Sequence, residues 1–267
     1  MSAESAPLTV PKFRALKRSG RKIVMVTAYD YPSAALADLV GVDGILVGDS
    51  LGMVVQGKAT TLSVTLRQMV YHAEMVARAT RHALVVVDLP FLSYQTGVRD
   101  ALKNAGRILK ETLAQAVKLE GGRERAELIA ALTGAGIPVL AHLGLRPQAI
   151  RASGGYRVER DRDRLLADAE AVQQAGAFAV ILECIPASVA EEITGRVDIP
   201  TIGIGAGPGC DGQILVFHDL LGYSTQPRRP KHAKQYADLG QIIQEALRRY
   251  IEEVQTGQFP GPEHSFS

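Results

Sequence analysis

The sequence predicts an α/β protein of the (β/α)8 TIM-barrel class with an additional C-terminal helix, a single barrel domain over residues 1–267. Three observations predict it. Short apolar runs rich in Val and Ile read as parallel strands buried on both faces. Eight such runs alternate with longer segments of helical spacing. A length of 267 residues at 46% hydrophobic is enough for one large core of this kind.

In chain order the expected strands are Ile23–Ala28, Gly44–Val47, Leu84–Val87, Ala116–Leu119, Val139–Ala141, Ala177–Leu182, Thr201–Ile204 and Ile214–Phe217. Amphipathic stretches Leu66–Ala79, Asp100–Leu113, Arg123–Leu132 and Asp161–Ala175 are long enough to be crossover helices. The connection before the last strand is too short for one. Asp238–Thr256 carries a final helix with Leu239, Ile242, Ile243, Ala246, Leu247, Tyr250, Ile251 and Val254 along one stripe. That stripe suits either subunit packing or the barrel's own floor. The tail FPGPEHSFS stops the helix with Pro and Gly and is expected to dock on a surface.

An open doubly wound sheet would also alternate strand and helix. Its nucleotide fingerprint, G-x-G-x-x-G after the first strand, is replaced here by TAYDYPSA. The glycine cluster GIGAGPG instead follows the seventh strand, where barrels commonly cradle anions.

Thirty Lys and Arg against 28 Asp and Glu leave a net charge of +2, which gives no broad field for nucleic acid or an anionic membrane. No apolar run reaches the length of a membrane span, and the first residues lack the apolar core of a signal peptide. The expectation is a cytoplasmic protein acting on small molecules. Cys184 and Cys210 lack paired spacing and read as structural thiols.

Function is legible where the apolar strands end. Asp49 closes GILVGDS, Asp88 LVVVDLP, Glu120 AVKLEGG, His142 PVLAHLG and Glu183 AVILECIP. In a barrel, the C-terminal strand ends share one mouth, so these side chains converge. Carboxylates crowded into a low-dielectric cleft repel one another and need protonation or a cation. Oxygen ligands without a His or Cys cluster suit a hard divalent ion, Mg2+ above all, with Mn2+ or Co2+ as substitutes. Taken singly, Asp49 or Asp88 could instead cap the next helix. Lys118 and Glu120 lie two positions apart and share one strand face, where a salt bridge between them or a ligand carboxylate on Lys118 would fit. His142 reads equally as a substrate-facing imidazole or a core residue satisfied by backbone. Ser50 follows Asp49 as a helix N-cap or a hydroxyl at the mouth, while Tyr29 suits packing and Asp30 a cap.

The motifs VTAYDYPSA, ILVGDSLGMVVQG, TLSVTLRQMVYH, VVVDLPFLSYQ, VKLEGG, AHLGLRPQ, GGYRV, LECIP and GIGAG followed by DGQILVFHDLLG occur in this order. From about Leu8 to the EHSF tail the chain resembles the ketopantoate hydroxymethyltransferase family. The resemblance implies Asp49 and Asp88 as direct Mg2+ ligands, with Glu120 in the outer shell or bound through water. It implies that Ser50, Lys118 and His142, together with Asp49 and Asp88, contact the 2-oxo acid. Glu183 matches the family's acid/base residue near the folate. The implied reaction moves a one-carbon unit from 5,10-methylenetetrahydrofolate to 3-methyl-2-oxobutanoate through a magnesium-stabilised enolate, on the route to pantothenate. A homo-oligomer, with a decamer as the expected form, is implied as well. A magnesium-dependent lyase or mutase of the phosphoenolpyruvate type is the enzyme alternative, and a non-catalytic metabolite-binding barrel the other.

Overall fold

The structure is a computed structural model and describes residues 7–224 and 230–266. Its contacts divide the chain into two compact units, Met1–Val216 and Phe217–Ser267.

The first unit is a closed barrel of eight parallel strands in sequence order. They are β1 Ile23–Thr27, β2 Gly44–Val47, β3 Leu84–Asp88, β4 Ala116–Glu120, β5 Val139–Gly144, β6 Ala179–Glu183, β7 Thr201–Ile204 and β8 Gly212–Leu215, and β8 closes on β1. The helices are α1 Val10–Ala15, α2 Tyr31–Leu39, α3 Leu51–Val54, α4 Leu66–Ala79, α5 Val98–Glu111, α6 Ala126–Gly134, α7 Ile150–Ser153, α8 Arg162–Gln174 and α9 Ala187–Arg196. As the spacing predicts, no helix separates β7 from β8. The start of α4 is fixed by a capping box, in which Thr65 and Gln68 satisfy each other's backbone N–H groups.

Several elements differ from expectation for physical reasons. β3, β4, β5 and β6 run on to include Asp88, Glu120, His142 and Glu183, so these polar residues belong to the strands themselves. β8 lies two residues earlier than expected. Its Gly212 and Gln213 look unlike strand residues, but both pair with β1, and Phe217 begins a helix. The short helix α1 was not expected. Pro11 sits in its first turn and Thr9 caps it. Its Phe13 is fully buried and meets Phe178 edge-on at 5.8 Å between ring centroids.

Inside the barrel, Met25, Leu46, Leu84, Val86, Ala116, Leu140, Ala179, Ile181, Ile202 and Ile214 form one apolar cluster. Strand side chains alternate between faces. Asp88 therefore stands one layer above Val86, Lys118 above Ala116, His142 above Leu140 and Glu183 above Ile181. The register places Asp88 beside Lys118 and Glu120 beside His142. A polar layer thus rests on a dry apolar plug.

The second unit holds α10, Phe217–Leu221, and α11, Leu239–Gln255. Backbone bonds from Tyr236 N to Leu220 O (2.8 Å) and from Gly240 N to Gly222 O (3.0 Å) join them. Asp238 caps α11, and its stripe, from Ile242 to Val254, has no buried residue. Beyond α11 the tail returns, with Phe259 edge-on to Tyr250, to a single turn at Pro262–His264. Ser267, the end of that tail, lies outside the described residues. Among the described residues no helix is long and apolar enough to cross a membrane.

Candidate active site

Four strand ends and the loop after β2 deliver the polar layer. Asp49, Asp88, Lys118, Glu120 and His142 are each at most 4% exposed. Asp88 is the hub. Its Oδ2 accepts the backbone N–H of Asp49 at 2.9 Å, and its Oδ1 lies 2.8 Å from Lys118 Nζ. The ion pair of Lys118 is therefore with Asp88 across the β3–β4 register, rather than with Glu120 on its own strand. A Cβ at Gly48 would lie 2.9 Å from Ser50 Oγ, so a larger residue there would push on the Ser50 hydroxyl.

On the other side, His142 Nε2 lies 3.2 Å from Glu183 Oε2. Neither ring nitrogen of His142 has a hydrogen-bond partner among the described residues, so no backbone carbonyl satisfies it. The close approach of β5 to β6 depends on Gly144, which has φ +90° and whose added Cβ would strike the Glu183 carbonyl oxygen. Cys184, directly after Glu183, is also held in the left-handed region at φ 48°, a strained backbone for a side-chain-bearing residue. Its thiol is pushed up to about 11 by burial and then by Glu183, so it stays protonated at neutral pH.

Ser50 occupies the N-cap position of α3, but its side chain makes no capping bond. Its Oγ instead lies 2.8 Å from the hydroxyl of buried Tyr29. His72 in turn sits 2.6 Å from the Tyr29 carbonyl. Asp30 does cap its helix, accepting from Ser33 N at 2.8 Å. The residue that spacing could not reveal is Gln148. Its Nε2 donates to Asp49 Oδ2 and to Leu89 O, both at 2.9 Å, and its backbone N–H donates to Glu120 Oε2 at 3.1 Å. Tyr94, from the loop after β3, donates its hydroxyl to Gln148 Oε1 at 2.8 Å.

Asp49, Asp88, Glu120 and Glu183 face one lysine here, and the protonation of Asp49 and Glu120 reflects both burial and this crowding. Burial, then Asp88, pushes Asp49 up to about 7, although Lys118 and Gln148 pull the other way. Burial also drives Glu120 well above the usual carboxylate range; Lys118 opposes this, while Asp49 and Asp88 add to it. Burial works against the Lys118 charge, but Asp88, Glu120 and Asp49 outweigh it and raise its pKa.

Among the described residues no three His, Cys, Asp or Glu side chains form a ready-made metal cage. A hard cation still fits. Mg2+ commonly takes only one or two carboxylates and fills the rest of its shell with water and substrate. The Asp49 backbone N–H donates to the Asp88 carboxylate, which brings the two residues together, and Glu120 Oε1 is buried without a hydrogen-bond partner. These are oxygen donors in surplus negative charge.

The raised pKa of Asp49 has a measurable consequence in cation-free protein. Below its ordinary pKa, Asp49 is protonated both folded and unfolded. As pH rises to about 7, the unfolded chain has already released this proton and the native state is disfavoured. Asp49→Asn is therefore expected to gain stability over the wild type as pH climbs from ~4 to ~7. Urea denaturation of both proteins in chelator measures the gap, and a gap that stays constant would remove Asp49 as its source.

Fold and mouth together define a (β/α)8-barrel enzyme with an acidic, lysine-containing active centre. The ketopantoate hydroxymethyltransferase family model matches residues 7–262. The chain belongs to that family. It is 54% identical to a 3-methyl-2-oxobutanoate hydroxymethyltransferase of Moorella thermoacetica, over 99% of each chain. It is 57% identical to one of Pyrobaculum aerophilum, over 90% of this chain and 92% of that one. Among solved structures, a phosphonopyruvate hydrolase superposes with TM-score 0.64 at 14% identity, covering 97% of this chain and 92% of its own. A 2,3-dimethylmalate lyase does so at 0.61 and 19%, covering 97% and 92%. At such identities these two likenesses concern the fold alone.

Proposed function

We propose that this chain transfers a hydroxymethyl group from 5,10-methylenetetrahydrofolate to 3-methyl-2-oxobutanoate, giving 2-dehydropantoate and tetrahydrofolate for pantothenate synthesis. The observation that carries the reading is membership of the family over residues 7–262, in a chain whose barrel mouth gathers Asp49, Asp88, Lys118, Glu120, His142 and Glu183.

Mg2+ held by Asp49 and Asp88, with Glu120 in the outer shell, would polarise the 2-oxo group and offset the negative charge that develops on its oxygen as C3 loses a proton. The protein's own groups do the rest. Lys118 Nζ holds the substrate carboxylate, exchanging its present partner Asp88 for it. Ser50 Oγ, steadied by the Tyr29 hydroxyl, and the His142 imidazole fix the oxo acid so that C3 faces the one-carbon donor. The apolar cluster below closes the floor of the site. Glu183, partly solvent-accessible beside His142, carries a proton on a carboxylate oxygen to and from the folate nitrogen during ring opening.

The same reading places the protein in the cytoplasm as a homo-oligomer, with a decamer expected. Ile242, Leu247, Tyr250 and Ile251 of α11, each more than half exposed, supply apolar surface suited to subunit packing.

Purified protein incubated with the oxo acid, Mg2+ and methylenetetrahydrofolate is expected to convert the oxo acid into a species heavier by one CH2O unit. Conversion should need all three components and stop with chelator. Cleavage of the oxo acid without folate would move the chain to the lyases, and binding without any turnover would leave a metabolite-binding barrel.

A further inference from the structure

Gln148 is 6% exposed and sits in the turn Pro147–Ala149 after β5, where its side chain reaches Asp49, 99 residues earlier in the chain. A carboxamide has two N–H donors and two acceptor sites on its oxygen. Here all are used. The donors go to Asp49 Oδ2 and Leu89 O, and Oε1 accepts from the Tyr94 hydroxyl at 2.8 Å and Gln95 Nε2 at 3.1 Å. The orientation is not arbitrary, because the Leu89 carbonyl can only accept and an inverted amide would set oxygen against it and against a carboxylate. Tyr94 is itself anchored, since its hydroxyl oxygen accepts Glu120 N at 3.2 Å. A fully satisfied buried network of this kind holds its members in one arrangement.

We propose that Gln148 is a positioning residue for the cation site: its carboxamide, locked by Tyr94, fixes the Asp49 carboxylate against Asp88 so that a divalent ion meets a carboxylate already aimed. This rests on the reading above that Asp49 and Asp88 hold the ion. Groups that orient a metal ligand typically change metal affinity by 10–100-fold when removed. Glu120 is approached through the Gln148 backbone N–H, which survives side-chain substitution. The side chain therefore acts on Asp49.

The test is a titration of the full chain with Mn2+, followed by electron paramagnetic resonance without substrate. Gln148→Met, which keeps the length and removes the amide, is expected to weaken Mn2+ binding by ~10–100-fold. Tyr94→Phe keeps the amide but removes its lock, together with the acceptor of Glu120 N, and should weaken it less, in the same direction. The double variant should bind no worse than Gln148→Met, because both substitutions act through one amide. A merely structural role would lower the thermal midpoint and leave the dissociation constant in place. An unchanged constant in Gln148→Met, or losses that simply add in the double variant, would overturn the proposal. Should Gln148→Met fail to fold, Tyr94→Phe carries the test, and an unchanged constant there overturns it equally. Wild-type protein that binds no Mn2+ would instead overturn the cation reading itself, a different result from a wild type that binds and a variant that binds equally.

Discussion

Asp88→Ala is expected to abolish magnesium-dependent deuterium exchange at C3 of 3-methyl-2-oxobutanoate, a loss of roughly 10²–10³-fold or more. The exchange isolates the half-reaction on the oxo acid, so the folate plays no part in the readout. Asp88 is the natural choice because it serves two neighbours at once, the Asp49 N–H and the Lys118 ammonium. Removing it also leaves a buried lysine charge without its ion-pair partner, which costs about 3–5 kcal/mol where such pairs are broken. Asp88→Asn also loses the ion pair with Lys118, but its amide oxygen can still accept from Asp49 N and it leaves no cavity, so stability should fall somewhat less while exchange is still suppressed. Exchange at the wild-type rate in Asp88→Ala, measured by proton NMR in heavy water, would refute the assignment of Asp88 to the cation site.

The two partners of Asp88 suggest why cation and substrate would enter together. Without ligands, Lys118 is the positive charge nearest Asp88, while burial and then the neighbouring carboxylates make Asp49 and Glu120 hold protons to higher pH in spite of it. A divalent cation would take over the neutralisation of Asp49 and Asp88. Lys118 would then be available to the carboxylate of the oxo acid. The positive charge of the cation and the carboxylate of the oxo acid would partly offset one another in this layer, where a low dielectric makes uncompensated charge costly.

Most of the barrel was legible because its strands are buried on both faces and so read as continuous apolar runs. Asp88, Glu120, His142 and Glu183 stood out for the same reason, as polar residues directly continuing runs such as LVVV and AVIL. Period two then predicts their common inward face, and the layers above Val86, Leu140 and Ile181 follow from it. Less legible were features set by distant partners. Gln148 looks like any polar residue opening a helical turn, since its link to Asp49 arises only when the barrel closes. Tyr29 reads as a packing aromatic and nothing in the sequence marks Tyr94, yet their hydroxyls acquire roles from Ser50 and Gln148. β8 was displaced because a Gly–Gln start carries little strand signal; pairing with β1 decides it. Likewise α1 is too short for periodicity, and the burial of Phe13 fixes it instead.

Glu183→Gln tests the other half of the chemistry. The substitution preserves size and leaves an oxygen and an NH2 group near His142, but it removes the exchangeable carboxyl proton. If Glu183 moves protons at the folate, turnover with methylenetetrahydrofolate should fall by roughly 10²–10⁴-fold, the usual range for a general acid or base. Binding of Mg2+ and the oxo acid should change little, because Asp49, Asp88 and Lys118 are untouched. The comparison of calorimetric oxo-acid binding with single-turnover transfer therefore carries the result. A structural role would give a different pattern. Glu183 Oε2 lies 3.2 Å from His142 Nε2, so a purely orienting carboxylate would be expected to disturb oxo-acid binding through the imidazole as strongly as transfer. Unchanged binding with unchanged turnover would remove Glu183 from the mechanism altogether. Selective loss of transfer would place the proton relay on the rim of the mouth, where Glu183 retains more solvent access than Asp49, Asp88, Lys118 or His142 and a bulky folate could reach it.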